Sequence, residues 1–147
     1  MTPTKPPAAP APTAAELLDQ LAQAAAAYYR NFAVTAAGQE LTLMQGKMLS
    51  VLRRPMSMRT LAELLGCDAS NITGIVDRLE TRGLVRRTAD PADRRIKNVV
   101  LTDEGAEVVR RIRAEMRSGL TGLEQLDAEE RRVFQDLLGR VLPAAAA

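Results

Sequence analysis

The sequence predicts a mainly α-helical domain of six helices that carries one small β-hairpin. Three observations predict it. Apolar residues recur at spacings of three and four through most of the chain from Ala14 to Leu142, the period of a helix with one buried face. Only Leu84–Leu101 breaks that rhythm. There, two short runs rich in Val and Leu flank the turn-forming Ala89-Asp90-Pro91-Ala92-Asp93, a strand–turn–strand signature. Finally, two of the helices are short and are separated only by Gly66 and the link Cys67 to Ala69, the spacing of a helix-turn-helix.

Composition limits the functions open to such a domain. With 147 residues, 46% apolar and 26% charged, the chain is ordinary globular protein with length for one core. Aromatic residues make up 3%, so Leu, Val, Ile, Ala and Met must fill that core. The lack of His and the single Cys67 exclude a His-based catalytic triad, a metal-ligand cluster and an intramolecular disulfide. Neither a Walker A loop nor G-x-G-x-x-G is present. No enzymatic activity, metal or cofactor is therefore expected. No apolar run approaches the roughly 18 residues of a membrane span, and the N-terminus lacks a signal-peptide pattern. The expected location is the reducing cytoplasm, away from membranes.

The elements follow in order. Residues 1–13 hold five prolines and read as a disordered tail; residues 143–147 read as a second tail. A single domain is expected over 14–142. Its first helix, 14–37, carries Leu17, Leu18, Leu21, Ala25, Tyr28 and Phe32 as one stripe and ends at Gly38. It is long and rich in Ala, which suits close approach of a partner helix. Thr42 and Gln45 form a capping box for the second helix, whose apolar face is Leu41, Met44, Met48, Leu49 and Leu52, and Pro55 stops it. Ser57 caps the third, with Leu61, Ala62, Leu64 and Leu65 inward and Gly66 at its end. The fourth runs from Asp68 to Thr81 with Ile72, Ile75, Val76 and Leu79 on one face, and Gly83 stops it. Strands at 84–88 and 97–101 form the hairpin. Thr102 or Asp103 caps the fifth helix, with Ala106, Val109, Ile112, Met116 and Leu120 as its stripe; Gly119 and Gly122 weaken its far end. A second capping box, Asp127 to Glu130, opens the sixth, with Val133, Phe134, Leu137, Leu138 and Val141.

The fourth helix and the hairpin carry the chemistry. Ser70, Asn71, Thr73, Gly74 and Arg78 share the helix face opposite its apolar residues. Short polar side chains let a helix sit deep in a DNA major groove and hydrogen-bond base edges or phosphates. Gly74 costs roughly 1 kcal/mol against Ala in a helix interior, which points to close approach of another molecule there. Arg94 and Arg95 fall at the hairpin tip, where an arginine can enter a minor groove. The net charge is only +2, yet Arg78 to Lys97 holds seven basic and three acidic residues, a local patch suited to nucleic acid.

This ordered set resembles the MarR family of bacterial winged-helix regulators. The resemblance rests on Leu41-Thr42 with Gln45, Leu61-Ala62, Leu65-Gly66, Val76-Asp77-Arg78-Leu79-Glu80 and Arg82-Gly83-Leu84-Val85-Arg86. Asp93 with Arg95, and Leu101-Thr102 with Gly105, complete it. It implies a winged helix-turn-helix at 42–101 that binds DNA, flanked by dimerisation helices at 14–37 and 103–142. It also implies a homodimer on a pseudo-palindromic operator, acting as a repressor released by a small aromatic or phenolic ligand. Residues 68–78 would enter the major groove, and Asp93 would orient an arginine at the wing tip. The expected DNA-binding set is Ser57, Ser70, Asn71, Thr73, Gly74, Arg78, Asp93, Arg94 and Arg95. The terminal stripes exceed what one small winged domain can cover, so Leu17, Leu21, Ile112, Met116, Leu120, Val133, Leu137 and Val141 are expected at the dimer interface. No motif marks a ligand pocket. Two alternatives stand beside this reading: a redox-responsive regulator acting through Cys67, and a winged-helix module that binds protein.

Overall fold

The structure, a computed structural model, describes residues 10–142; residues 1–9 of the expected N-terminal tail and all of 143–147 lie outside the described residues. The order of elements is α1 (Ala14–Gly38), α2 (Leu43–Val51), β1 (Met56–Ser57), α3 (Met58–Leu65), α4 (Ala69–Thr81), β2 (Val85–Ala89), β3 (Lys97–Leu101), α5 (Asp103–Gly119), α6 (Thr121–Gln125) and α7 (Ala128–Val141). This is the winged helix-turn-helix arrangement that the sequence predicts.

Side-chain caps set most of the helix starts. Thr13, the last residue of the expected tail, caps α1 reciprocally with Glu16. Thr42 and Gln45 do the same for α2, and Asp127 and Glu130 for α7. Ser57, Asp68 and Thr102 each accept the amide three residues on, at α3, α4 and α5. Each cap satisfies an amide that the helix itself leaves open.

Several details differ from the expectation, each for a local reason. Gly38 is still helical; the left-handed residue that ends α1 is Glu40, with φ 56°. The Leu41 amide then reaches back to the Ala36 carbonyl at 3.0 Å, and the Glu40 amide to Ala37 at 2.9 Å, a Schellman ending with Glu where Gly is usual. Ala69 belongs to α4, because Asp68 is its cap. Leu64 is exposed, since the eight-residue α3 turns only the Leu61 and Leu65 side inward. A third strand, β1, pairs antiparallel with β3 through Met56–Val99 and Ser57–Asn98, giving the order β1-β3-β2. Two residues are too few to show an alternating pattern. After Gly119 the chain breaks at Leu120 and makes the extra short helix α6, where Gly119 and Gly122 weaken a continuous helix.

The core is built from Met48, Leu49, Leu61, Ile72, Val76, Leu79, Val85, Val99 and Ile112. It lies where α2, α3, α4 and the sheet meet α5. Gly105 seats α5 on this core: a β-carbon there would stand 1.9 Å from the Leu84 carbonyl oxygen. No larger residue allows α5 to start so close to the strand.

The outer helices are different. Only Phe32, Thr35 and Ala36 of α1 are buried, and no residue of α7 is. Leu17 and Leu18 of α1 and Val133, Phe134, Leu137, Leu138 and Val141 of α7 are exposed. No helix among the described residues is long and apolar enough to cross a membrane.

Candidate nucleic-acid interface

The α4 helix buries Ile72, Ile75, Val76 and Leu79, as the sequence pattern predicts, and so turns its polar face outward. Ser70, Asn71, Thr73 and Arg78 are exposed. A β-carbon on Gly74 would meet nothing within 4 Å; the surface there is open to an incoming partner.

These polar side chains are not equally free. Asp68 Oδ1 accepts the Ser70 hydroxyl at 2.6 Å and the Asn71 amide at 2.8 Å. Those two bonds, the Ser70 hydroxyl first, hold the Asp68 carboxyl below its ordinary range. The Thr73 hydroxyl donates to the Ala69 carbonyl at 2.9 Å. Asn71 keeps its side-chain amide without a protein partner among the described residues. Ser57 is committed elsewhere: half-buried, it caps α3 by accepting the Thr60 amide at 3.1 Å.

The wing tip is held from within. Asp90 Oδ1 accepts the amides of Ala92 at 2.8 Å and Asp93 at 3.2 Å, while Oδ2 accepts the buried Asn98 side chain at 2.7 Å. Asn98 is the strongest of the three in keeping the Asp90 carboxyl below its ordinary range, followed by Ala92 and Asp93. Asp93 meets the main chain of Arg95: its Oδ1 accepts the Arg95 amide at 3.0 Å. Among the described residues, no ion pair involves Arg78, Arg86, Arg94 or Arg95. Asp90 and Asp93 therefore make no direct ion pair with the tip arginines.

Two arginines outside the expected DNA-binding set hold this surface in place. Arg87, on β2, pairs with Asp77 at 2.5 Å and with Glu80, both on α4. The pairing, with Asp77 foremost, raises the pKa of its guanidinium further. Arg82, at the end of α4, donates to the Glu40 carbonyl at 2.6 Å and the Gln39 carbonyl at 3.2 Å. The acid–base spacing 77, 80, 87 is visible in the sequence, but only the turn at Gly83, φ 71°, brings Arg87 back onto the helix.

Of the expected dimer residues, Leu17, Val133, Leu137 and Val141 are exposed and Leu21 and Leu120 half-buried. Ile112 and Met116, 1% and 6% exposed, are a correction: they belong to the protomer's own core, because the α5 stripe is used against α1 and α2.

An open cleft of about 1310 Å³ lies beside that stripe. Tyr28, Phe32, Met116 and Leu120 supply apolar lining, and Arg53, Arg110, Arg113, Arg117 and Arg131 outnumber the one acid, Glu124. The buried Ser50 hydroxyl, in the same lining, has no hydrogen-bond partner among the described residues. The recurrence of Arg110, Arg113 and Arg117 at steps of three and four was the one sequence signal for this cleft.

A MarR family sequence profile matches residues 41–97, the segment that contains the capped α2, the helix-turn-helix and most of the wing. YfiV, an uncharacterized HTH-type transcriptional regulator of Bacillus subtilis, is 31% identical over 112 residues, 72% of this chain and 70% of YfiV. The chain belongs to the MarR family. NicR of Pseudomonas putida, an HTH-type transcriptional repressor, is 39% identical over 88 residues, 56% of each chain. The match thus spans little more than half of NicR. Among solved structures, CouR from Rhodococcus jostii bound to p-coumaroyl-CoA superposes with a TM-score of 0.71 at 25% identity, over 90% of this chain and 96% of CouR. The winged helix-turn-helix is therefore that of a family of transcriptional regulators.

Proposed function

We propose that this MarR-family chain is a sequence-specific, DNA-binding transcriptional repressor that acts as a homodimer on a pseudo-palindromic operator. The observation that carries the reading is the exposed pairing of α4 and wing: a small polar helix face with two wing-tip arginines that form no ion pair among the described residues. Inserted in a major groove, α4 offers Asn71 to base edges and Arg78 to phosphate. Arg94 and Arg95 then reach the adjacent minor groove, where negative potential is strongest. Two-fold symmetry repeats these contacts on a second half-site. The uncovered apolar residues of α1 and α7 suit the partner protomer.

The arginine-rich cleft supports a ligand-released repressor. Its apolar floor and basic rim suit an aromatic acid or its thioester, an amphiphilic anion. That NicR is a repressor and that CouR is bound to an aromatic acyl-CoA agree with this reading. Genome-wide mapping of protected DNA tests it, followed by titration of the bound duplex with aromatic carboxylates and their thioesters. The reading predicts a small set of protected sites with inverted symmetry and release by one such anion. Uniform, sequence-blind protection would refute it.

A further inference from the structure

We infer that Arg82 is a positioning residue that fixes the recognition helix α4 against the end of α1. The inference rests on the DNA reading of α4. The apolar face of α4 packs on α2, α3 and β2 and sets which side turns inward; Arg87 ties the helix to the wing through Asp77 and Glu80, and neither contact reaches α1. The Arg82 guanidinium supplies the directional contact to the end of α1. Its two terminal nitrogens meet two successive carbonyls, Glu40 at 2.6 Å and Gln39 at 3.2 Å, in the planar fork that only arginine offers.

The place that Arg82 grips is itself specified. Gln39 and Glu40 follow the last turn of α1, where helix carbonyls converge and a cation is favoured. Glu40 holds φ 56°, a conformation that costs a non-glycine residue free energy and persists only where the surroundings impose it. The bond from Arg82 to its carbonyl is one such imposition. The Glu40 carboxylate stands 3.9 Å from the same guanidinium, too far for a hydrogen bond. The grip also joins two functional regions, since α1 contributes Tyr28 and Phe32 to the cleft and α4 carries Asn71.

The test uses the full-length protein and two duplexes: one enriched by the wild type from a random-sequence pool, and the unselected pool itself. Arg82→Gln and Arg82→Lys are first checked for folding by circular dichroism. Arg82→Gln is expected to lower the preference for the enriched duplex about tenfold, the size of one lost base contact, with little change on the pool. Arg82→Lys, which keeps the charge but not the fork, should restore that preference only in part. A wild-type preference in either folded variant would overturn the inference. So would full rescue by Arg82→Lys after both duplexes had weakened together, because that pattern marks a phosphate contact. If Arg82→Gln does not fold, the Arg82→Lys preference decides alone. Failure of the wild type to enrich any sequence is a separate outcome that defeats the DNA reading beneath it.

Discussion

Arg87 is held twice by Glu80: its backbone amide donates to Oε1 at 2.9 Å, and its guanidinium pairs with Oε2. One carboxylate on the recognition helix thus fastens both the main chain and the side chain of the first wing strand. The pair is half-buried, so screening is incomplete. Glu80→Ala should lose about 1.5 kcal/mol of stability, the low end of the range for hydrogen bonds to charged groups, because Asp77 still holds the guanidinium. Urea denaturation measures this. Glu80→Gln, which keeps an acceptor for the amide, should lose less; an equal loss in both variants would show that the backbone bond adds nothing.

The wing should be sensitive to acid. The Asp90 carboxyl is held below its ordinary range by Asn98 and by the amides of Ala92 and Asp93. A lowered folded-state pKa means that the ionised form stabilises the fold. That contribution is complete above the unfolded value of about 4 and is lost as pH falls through the lowered folded value. Amide exchange at Ala92 and Asp93 should therefore be protected and level near neutrality, then lose protection in acid before the core does. Asp90→Ala should remove the protection at neutral pH. Unchanged protection in that variant would contradict the role.

Assembly follows from uncovered apolar surface. Val133 is 50% and Leu137 47% exposed in the protomer. Sedimentation equilibrium at micromolar concentration should show a dimer whose stability depends on concentration. Leu137→Glu should shift it toward monomer. A folded wild-type monomer under the same conditions would defeat the dimer.

Cys67 is half-buried beside the core, with its thiol 3.5 Å from the Leu65 carbonyl, so a packing role is the simpler account. Cys67→Ser should change stability by only about 1 kcal/mol and leave DNA binding indifferent to peroxide. Peroxide-dependent loss of binding that Cys67→Ser abolishes would establish the redox alternative.

Periodic burial and capping made much of the fold legible. The boundaries near Thr42, Asp68, Thr102 and Asp127 follow from local hydrogen bonds that sequence spacing reveals. Strand β1 was not legible, because two residues carry no period and only pairing with β3 defines them. Nor did spacing identify Glu40 as the residue that ends α1, since φ above zero is unusual for Glu. Ile112 and Met116 illustrate a more general limit: an apolar stripe announces burial, but not whether the protomer or its partner does the burying. At the candidate site, polar identity pointed to Ser70, Asn71 and Thr73 alike, while the hydrogen-bond pattern singles out Asn71. The grip of Arg82 joins residues 42 and 43 positions apart, and that of Arg87, though its partners lie only 7 and 10 positions away, needs the turn at Gly83 to form.

The central claim is that α4 reads bases while the wing adds affinity through charge. It is tested most directly by titrating wild type, Asn71→Ala and Arg95→Ala on enriched and random duplexes across a salt series. Asn71→Ala should change which bases are preferred, at about 1–3 kcal/mol per lost base contact. Arg95→Ala should weaken binding to both duplexes and flatten the salt dependence, since counterion release scales with the phosphates neutralised. If Arg95→Ala leaves affinity and salt slope intact on both duplexes, the wing does not touch DNA, and a protein-binding role for this surface replaces the one argued above.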